Sequence, residues 1–174
     1  MRRILLFCMT FLMLGLMAGC SNTDESLCDF GLYLLADTTL SYAEIADKSL
    51  GKLKLQDNPV IISEDIQSYE VLYSSDSTYS LFHRMVVTAA TVDKLGSEII
   101  PYVVKVGSNR IYLGEYWPQL MSIMAQTVTM VNMAYVDLVF IANNDTGAEL
   151  INDFRIVAAL EQGGVEIVYE DISN

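Results

Sequence analysis

The sequence predicts an α+β fold, in which two to four short helices pack on a mixed or antiparallel sheet that contains two hairpins. Predicted helices alternate with predicted hairpins along the chain, and this alternation indicates the α+β class. Turn-forming residues separate strand-like segments at both hairpin positions. Apolar residues make up 52% of the 174-residue chain, which is enough to form the core of a single domain.

The first part of the domain is predicted to hold a strand, a short helix and extended segments. Phe30–Leu35 has a strand pattern. Ser41-Tyr42-Ala43-Glu44 has the spacing of a capping box, so a helix begins there and ends near Gly51. Ser63 can cap a further helical turn. The other extended segments are Leu53–Leu55 and Val60–Ile62.

Two hairpins are predicted in the middle of the chain. Tyr69–Tyr73 and Thr78–Thr88 form the clearer one, around a turn at residues 74–77. Tyr102–Val106 and Ile111–Gly114 form the other, around residues 107–109. Between the hairpins, residues 88–95 are predicted to form a helix. Alternation along the second strand of the first hairpin places on one face Tyr79, Leu81, His83, Met85 and Val87.

The C-terminal part is predicted to continue with two strands, a helix and a last strand. Gln119–Ala142 is apolar, but Gln126, Asn132 and Asp137 make a membrane span unfavourable, because polar groups at the bilayer centre are costly. The strands are Val128–Met133 and Val136–Ile141, of which residues 138–141 are predicted to be buried on both faces. Then follow a turn at Asn143–Gly147, a helix best defined from Asp153 to Gln162, and the strand Val165–Tyr169.

The N-terminal segment has the order of a secretory signal peptide. Arg2 and Arg3 precede the apolar run Ile4–Met17, and small residues follow. Ala18-Gly19-Cys20 resembles the lipobox of bacterial lipoproteins, although Met17 stands where Leu is usual. The resemblance implies a signal peptide at 1–19, a lipidated Cys20 with a polar tether at 20–26, and one globular domain at 27–174. An ordinary cleaved signal peptide is the alternative.

The lipobox resemblance also implies a location and a set of partners. The domain would lie outside the cytoplasm in a bacterial cell envelope, anchored in the membrane by palmitate-type acyl chains on Cys20. Ser21 is not the Asp that favours inner-membrane retention in proteobacterial lipoproteins, so the outer membrane is favoured if the host has one. Loss of Arg2 and Arg3 takes the net charge from −12 to −14, which disfavours nucleic acid. Another envelope protein is the remaining expected partner.

Three segments of the domain resemble a family of uncharacterised bacterial lipoproteins. They are His83–Thr88, Pro101–Gly114 and Asn152–Gly163, and they lie within roughly half of the chain. The strand–helix–hairpin unit is also similar in outline to the periplasmic head of the SecD translocase subunit. Neither resemblance includes a motif of known chemistry, so neither implies a catalytic residue.

No motif for a cofactor, metal or catalytic set occurs in the sequence. His83 is the only histidine, which excludes a multi-histidine metal site, and no G-x-S-x-G elbow or phosphate-binding loop is present. We expect His83 to be a packed, hydrogen-bonded residue of a strand. Cys28 is left without an internal disulfide partner and is expected to be a buried thiol, with an intermolecular disulfide as the alternative.

Two classes of function follow from these observations. The first is a non-enzymatic binding or structural protein of the envelope. The alternative is an envelope enzyme, a hydrolase or a thiol-dependent enzyme, that uses Cys28 and His83. A cluster of aromatic and charged residues indicates a partner surface for the first class, since such residues dominate binding hot spots. The cluster consists of Arg110, Tyr112, Glu115, Tyr116 and Trp117. The alternative is that its rings belong to the core.

Overall fold

The computed structural model describes residues 29–74, 80, 82–119, 128–134 and 136–173. The described helices are α1 (Tyr42–Ile45), α2 (Ala89–Leu95), α3 (Asp145–Ile151) and α4 (Phe154–Gln162), with 3₁₀ helices at Leu50–Lys52 and Ser63–Asp65. The described strands are β1 (Phe30–Leu34), β2 (Ile61–Ile62), β3 (Ile66–Tyr73), β4 (Phe82–Val87), β5 (Ile100–Val106), β6 (Asn109–Trp117), β7 (Val128–Ala134), β8 (Asp137–Ala142) and β9 (Glu166–Asp171).

All described strands belong to one mixed sheet of nine strands, in the order β2-β1-β5-β6-β7-β8-β4-β3-β9. The pairs β6–β7 and β3–β9 are parallel, and the other neighbours are antiparallel. The fold is therefore α+β with a mixed sheet and short helices, as the sequence predicted. Strands adjacent in the chain pair antiparallel at β3–β4, β5–β6 and β7–β8.

The sheet curls around its helices and encloses the main core. Helix α4 contacts β1 and β5 near one end of the strand order and β9 at the other end. Its buried residues Ile156, Ala159 and Leu160 face this core. Helix α3 packs on β7 and β8. A smaller core lies apart from the main one and contains Leu35, Ile45, Leu53, Val103 and Leu113.

Short polar side chains cap the N-termini of the helices, and the cap of α3 shows that part of a predicted turn is helical. Glu44 accepts the backbone N–H of Ser41 at 2.8 Å at the start of α1. Residues 143–147 were predicted to be a turn, but α3 already begins at Asp145. The Asn144 side chain accepts the Gly147 N–H at 2.7 Å, so the polar residues cap a helix.

The prediction that residues 138–141 are buried on both faces is wrong, because the two faces of β8 are not buried equally. Leu138 and Phe140 are buried, whereas Val139 and Ile141 are half-buried. The alternation shows that one face of β8 joins the core and the other is partly open. Within the described ranges, no helix has the length and hydropathy needed to cross a membrane.

The β5–β6 pair depends on a close approach at Gly114. Gly114 is opposite Tyr102, whose side chain is fully buried, and a Cβ at Gly114 would lie 2.5 Å from atoms of that ring. We expect Gly114→Ala to lower the free energy of unfolding by about 1–3 kcal/mol, because the enclosed ring has no room to move aside. Urea unfolding measures the change. Gly51→Ala is the control, since its nearest atom would be 3.8 Å away; equal losses in both variants would contradict the packing argument.

Candidate functional site

The aromatic rings of the predicted partner surface lie in the core. Tyr112, Tyr116 and Trp117 are 3%, 0% and 5% exposed. They belong to β6, an inner strand between β5 and β7, and Tyr112 and Tyr116 are part of the main core. Their position agrees with the alternative that places these rings in the core, so the structure gives no support to a partner surface built on them.

The two charged members of that cluster bind within the chain. The Arg110 guanidinium donates to the carbonyl oxygen of Leu53 at 2.6 Å and to that of Leu50, which ties the first 3₁₀ helix to β6. The Glu115 carboxylate accepts the indole N–H of Trp117 at 2.8 Å. Both groups thus have a structural role. Cys20 and Cys28, the other predicted sites, lie outside the described residues.

His83 is a packed residue of β4, as the sequence predicted. It pairs in register with Val71 of β3 and Phe140 of β8, and only 1% of it is exposed. Its Nδ1 lies 2.8 Å from the hydroxyl oxygen of Tyr69. The Tyr69 ring meets the imidazole edge-on, with 5.4 Å between the ring centroids. The histidine is therefore held in a defined orientation.

The hydrogen bonds assign the proton of His83 to Nε2. Burial raises the pKa of Tyr69 well above its usual value, so its hydroxyl keeps its proton. We assign this hydroxyl as the donor to Nδ1, because the reverse arrangement would leave both the phenol hydrogen and Nε2 without partners among the described residues. Nε2 then carries the imidazole hydrogen, and this buried atom has no hydrogen-bond partner among the residues that the structure describes. The imidazole thus presents an unused donor.

Burial also keeps His83 uncharged. It lowers the pKa of His83 to about 4, because a desolvated imidazolium is unfavourable. The nearby Asn152 side chain opposes this shift, although it makes no hydrogen bond of normal geometry with Nε2. The Asn152 amide is itself fixed, since its Nδ2 donates to the carbonyls of Ser80 at 2.6 Å and Ala148 at 2.8 Å. At neutral pH the site offers a neutral donor.

His83 lines a groove between the sheet and α4, which we name the His83 groove. Its volume is about 330 Å³. Val71, His83 and Tyr169 form one row across β3, β4 and β9, as the strand registers show. Helix α4 supplies the opposite wall at the i, i+3, i+4, i+7 spacing of one helix face, and Asn152 precedes it. The wall residues are Phe154, Val157, Ala158 and Glu161.

Two large aromatic residues of the groove are exposed to solvent. Phe154 is 78% exposed and Tyr169 is 61% exposed, more than the other large apolar residues that the structure describes. Exposed aromatic side chains beside a cavity are typical of ligand-binding and interaction sites. The groove therefore combines an open apolar rim with a buried, unused polar group.

The chemistry available in the groove is hydrogen bonding and apolar contact. Among the described residues, no nucleophile or carboxylate hydrogen-bonds to His83, and no group of three metal-ligating side chains occurs. A larger cleft of about 560 Å³ lies between residues near Asp29, Pro59 and Gly107. No buried, unpaired side-chain atom of the described part lines that cleft, so the His83 groove is the stronger candidate.

Sequence reasoning found His83 but missed the rest of the groove. Asn152, Glu161 and Tyr169 have no motif and lie far from His83 in the chain. Phe154 carries the one usable signal, because it is a large aromatic residue outside the buried positions of an amphipathic helix.

Comparisons with models of known protein families, with curated proteins and with solved structures found no match to this chain.

The buried neutral histidine gives a testable pH dependence. Between pH 6.5, the usual pKa, and about 4, the unfolded chain binds a proton that the folded chain excludes. The stability due to neutral His83 is thus present above this window and lost as the pH falls through it. We expect the advantage of wild type over His83→Gln to shrink by about 3 kcal/mol between neutral pH and pH 4.

Denaturant unfolding of both proteins at several pH values measures this difference. The carboxylates are the same in wild type and His83→Gln, so their titration cancels in the comparison. Parallel stability profiles for the two proteins would show that His83 is not excluded from protonation in the folded state.

Proposed function

We propose that this chain is a lipid-anchored lipoprotein of a bacterial cell envelope, whose domain outside the cytoplasm binds a ligand non-enzymatically through the His83 groove. The observation that carries the binding part is the Nε2 donor of His83, which is buried, has no partner in the described part of the chain and lies in a groove with exposed aromatic residues. The signal-peptide pattern that ends at Cys20 supports the anchor.

The unpaired donor defines part of the ligand. A buried polar group without a partner costs about 1–3 kcal/mol, which a ligand oxygen in reach of Nε2 would recover. Because the imidazole is neutral, a carbonyl oxygen satisfies it without an ion pair. Phe154 and Tyr169 favour an apolar or aromatic body beside that oxygen. The ligand is therefore an apolar group with a hydrogen-bond acceptor.

The geometry favours binding over the enzymatic alternative that uses Cys28 and His83. A general base needs a pKa near the working pH, whereas burial lowers the pKa of His83 to about 4. Its Nδ1 is held by a phenol hydroxyl instead of the carboxylate of a catalytic triad. These properties suit a His83 side chain that donates a hydrogen bond to a ligand better than one that takes up a proton as a general base.

The proposed setting places the groove near a membrane. The tether Ser21–Ser26 spans at most about 20 Å when extended, so the domain stays close to the lipid on Cys20. Ser21 favours the outer membrane if the host has one. The acidic charge disfavours nucleic acid, and another envelope protein is the proposed partner besides the membrane.

The finer architecture is also a proposal. Residues 75–77 of the first predicted turn lie outside the described residues. We propose that β3–β4 and β5–β6 are two hairpins, the second around residues 107–109. The antiparallel registers of these two strand pairs support it.

Lipidation is tested at Cys20. We expect Cys20→Ala to remove fatty-acid labelling and to leave unprocessed precursor, because the modified thiol is lost. Metabolic labelling with a radioactive fatty acid is the measurement. Cys28→Ala is the matched control and should be labelled like wild type. Equal labelling of Cys20→Ala and wild type would refute the lipoprotein assignment.

Ligand binding is tested by photo-crosslinking in intact cells. A photoreactive amino acid at Phe154 should give a crosslinked product that disappears when Tyr169→Ala is added. The same group at Met133, which is 52% exposed on β7, is the control and should not give that product. Tyr169→Ala should change stability by less than about 0.5 kcal/mol, since the side chain is largely exposed. The same product from both positions would argue against a specific groove.

A further inference from the structure

We propose that the outer edge of β9 binds an extended segment of another envelope protein as an added strand, and that this segment alternates basic with apolar residues. The inference rests on the proposed binding function, because it names the partner class of the same groove. Four observations carry it: the unpaired edge, the exposed side chains, the link to His83 and the charge of β9.

Strand β9 is the last in the sheet, and in the described part of the chain it pairs with β3 alone. Ile172 donates its backbone N–H to the Tyr73 carbonyl at 2.8 Å, so this residue faces β3. Backbone groups of successive strand residues point to opposite sides. Those of Ile167 and Tyr169 therefore point to the outer edge, where an added strand would pair with them.

The side chains of β9 are open on both faces of the sheet. Five of its six residues are exposed, and Ile167 is half-buried. Val168 and Tyr169 are 37% and 61% exposed, so the strand presents apolar groups to solvent. An edge of this kind is a template for pairing with another chain.

The edge continues directly into the His83 groove. Tyr169 is next to Val71, and Val71 is next to His83, all on the groove side of the sheet. Every second side chain of an added strand would lie on this side, beside Tyr169 and toward Phe154. Apolar side chains at these positions would extend the apolar rim of the groove.

The opposite face of β9 is acidic. Glu166 and Glu170 lie on this face with Val168 between them, whereas Asp171 at the end of the strand lies on the groove side. An added strand would place its other side chains opposite these carboxylates, where Lys or Arg form favourable cross-strand pairs. The net charge of −12 for the whole chain adds attraction for a basic segment.

The same charges select against a second copy of this chain. Pairing β9 with β9 of another molecule would bring the acidic residues of both strands together, and like charges across strands are unfavourable. Natural proteins use such charges to prevent edge-to-edge self-association. The occupant is therefore a different, basic chain.

The test uses the full lipoprotein in detergent micelles and a fluorescent peptide of about eight residues in which Lys alternates with Val or Tyr. We expect saturable binding by fluorescence anisotropy. A matched peptide, N-methylated on every second amide, keeps its charge and side chains but cannot pair as a strand. Its affinity should be at least about tenfold lower.

Charge variants then distinguish binding at the β9 edge from general electrostatic attraction to the acidic protein. Glu166→Lys/Glu170→Lys should weaken binding at least about tenfold, whereas Glu98→Lys/Glu149→Lys, the same charge change at exposed positions off β9, should weaken it much less. Equal losses in the two variants, equal binding of the N-methylated peptide, or no binding would overturn the proposal. So would a dimer that Tyr169→Pro abolishes. The Phe154 photo-crosslink tests the groove function separately. If the crosslink persists although the edge proposal fails, the groove function stands. If the crosslink is absent although the peptide binds, only the groove function is refuted.

Discussion

The burial of one face of a nine-stranded sheet against few short helices is the constraint on which the structure depends. A helix with its side chains is about 10–12 Å wide and strands lie about 4.7–4.9 Å apart, so one helix covers only about two strands of a flat sheet. Curling solves this problem, because α4 then contacts β1 and β5 as well as β9. The apolar face of the sheet becomes the inside of an enclosure.

The His83 groove is a consequence of this curl. Phe154 and Ile156 lie on different faces of α4, so Phe154 is exposed beside the groove while Ile156 and Leu160 face the core. His83 lines the groove beside this face of α4 and is shielded from water, yet Nε2 has no hydrogen-bond partner among the described residues. The same desolvation that lowers its pKa keeps the imidazole neutral and ready to donate. Burial thus stabilises the fold and also keeps the His83 imidazole neutral.

In two segments the burial of the side chains differs from what the composition of the segment suggests. The aromatic cluster of β6 has the composition of a binding surface, yet Tyr116 is fully buried, since it belongs to the main core that the sheet encloses. Residues 138–141 have the composition of a strand buried on both faces, yet Val139 and Ile141 are half-buried. In each case packing against the faces of the sheet decides which side chains are covered, and the main core brings together residues from Phe30 to Val165.

The sequence by itself determined the local features of this protein: the fold class, the positions of most strands, the packing of His83 and the capping of α4 by Asp153. Alternation and capping involve residues a few positions apart, so a single segment contains the information. Only the tertiary structure decided the strand order, the parallel pairing of β9 with β3 and the meeting of His83 with Asn152 and Tyr169. These contacts depend on how segments far apart in the chain share one buried face, which is a property of the whole sheet.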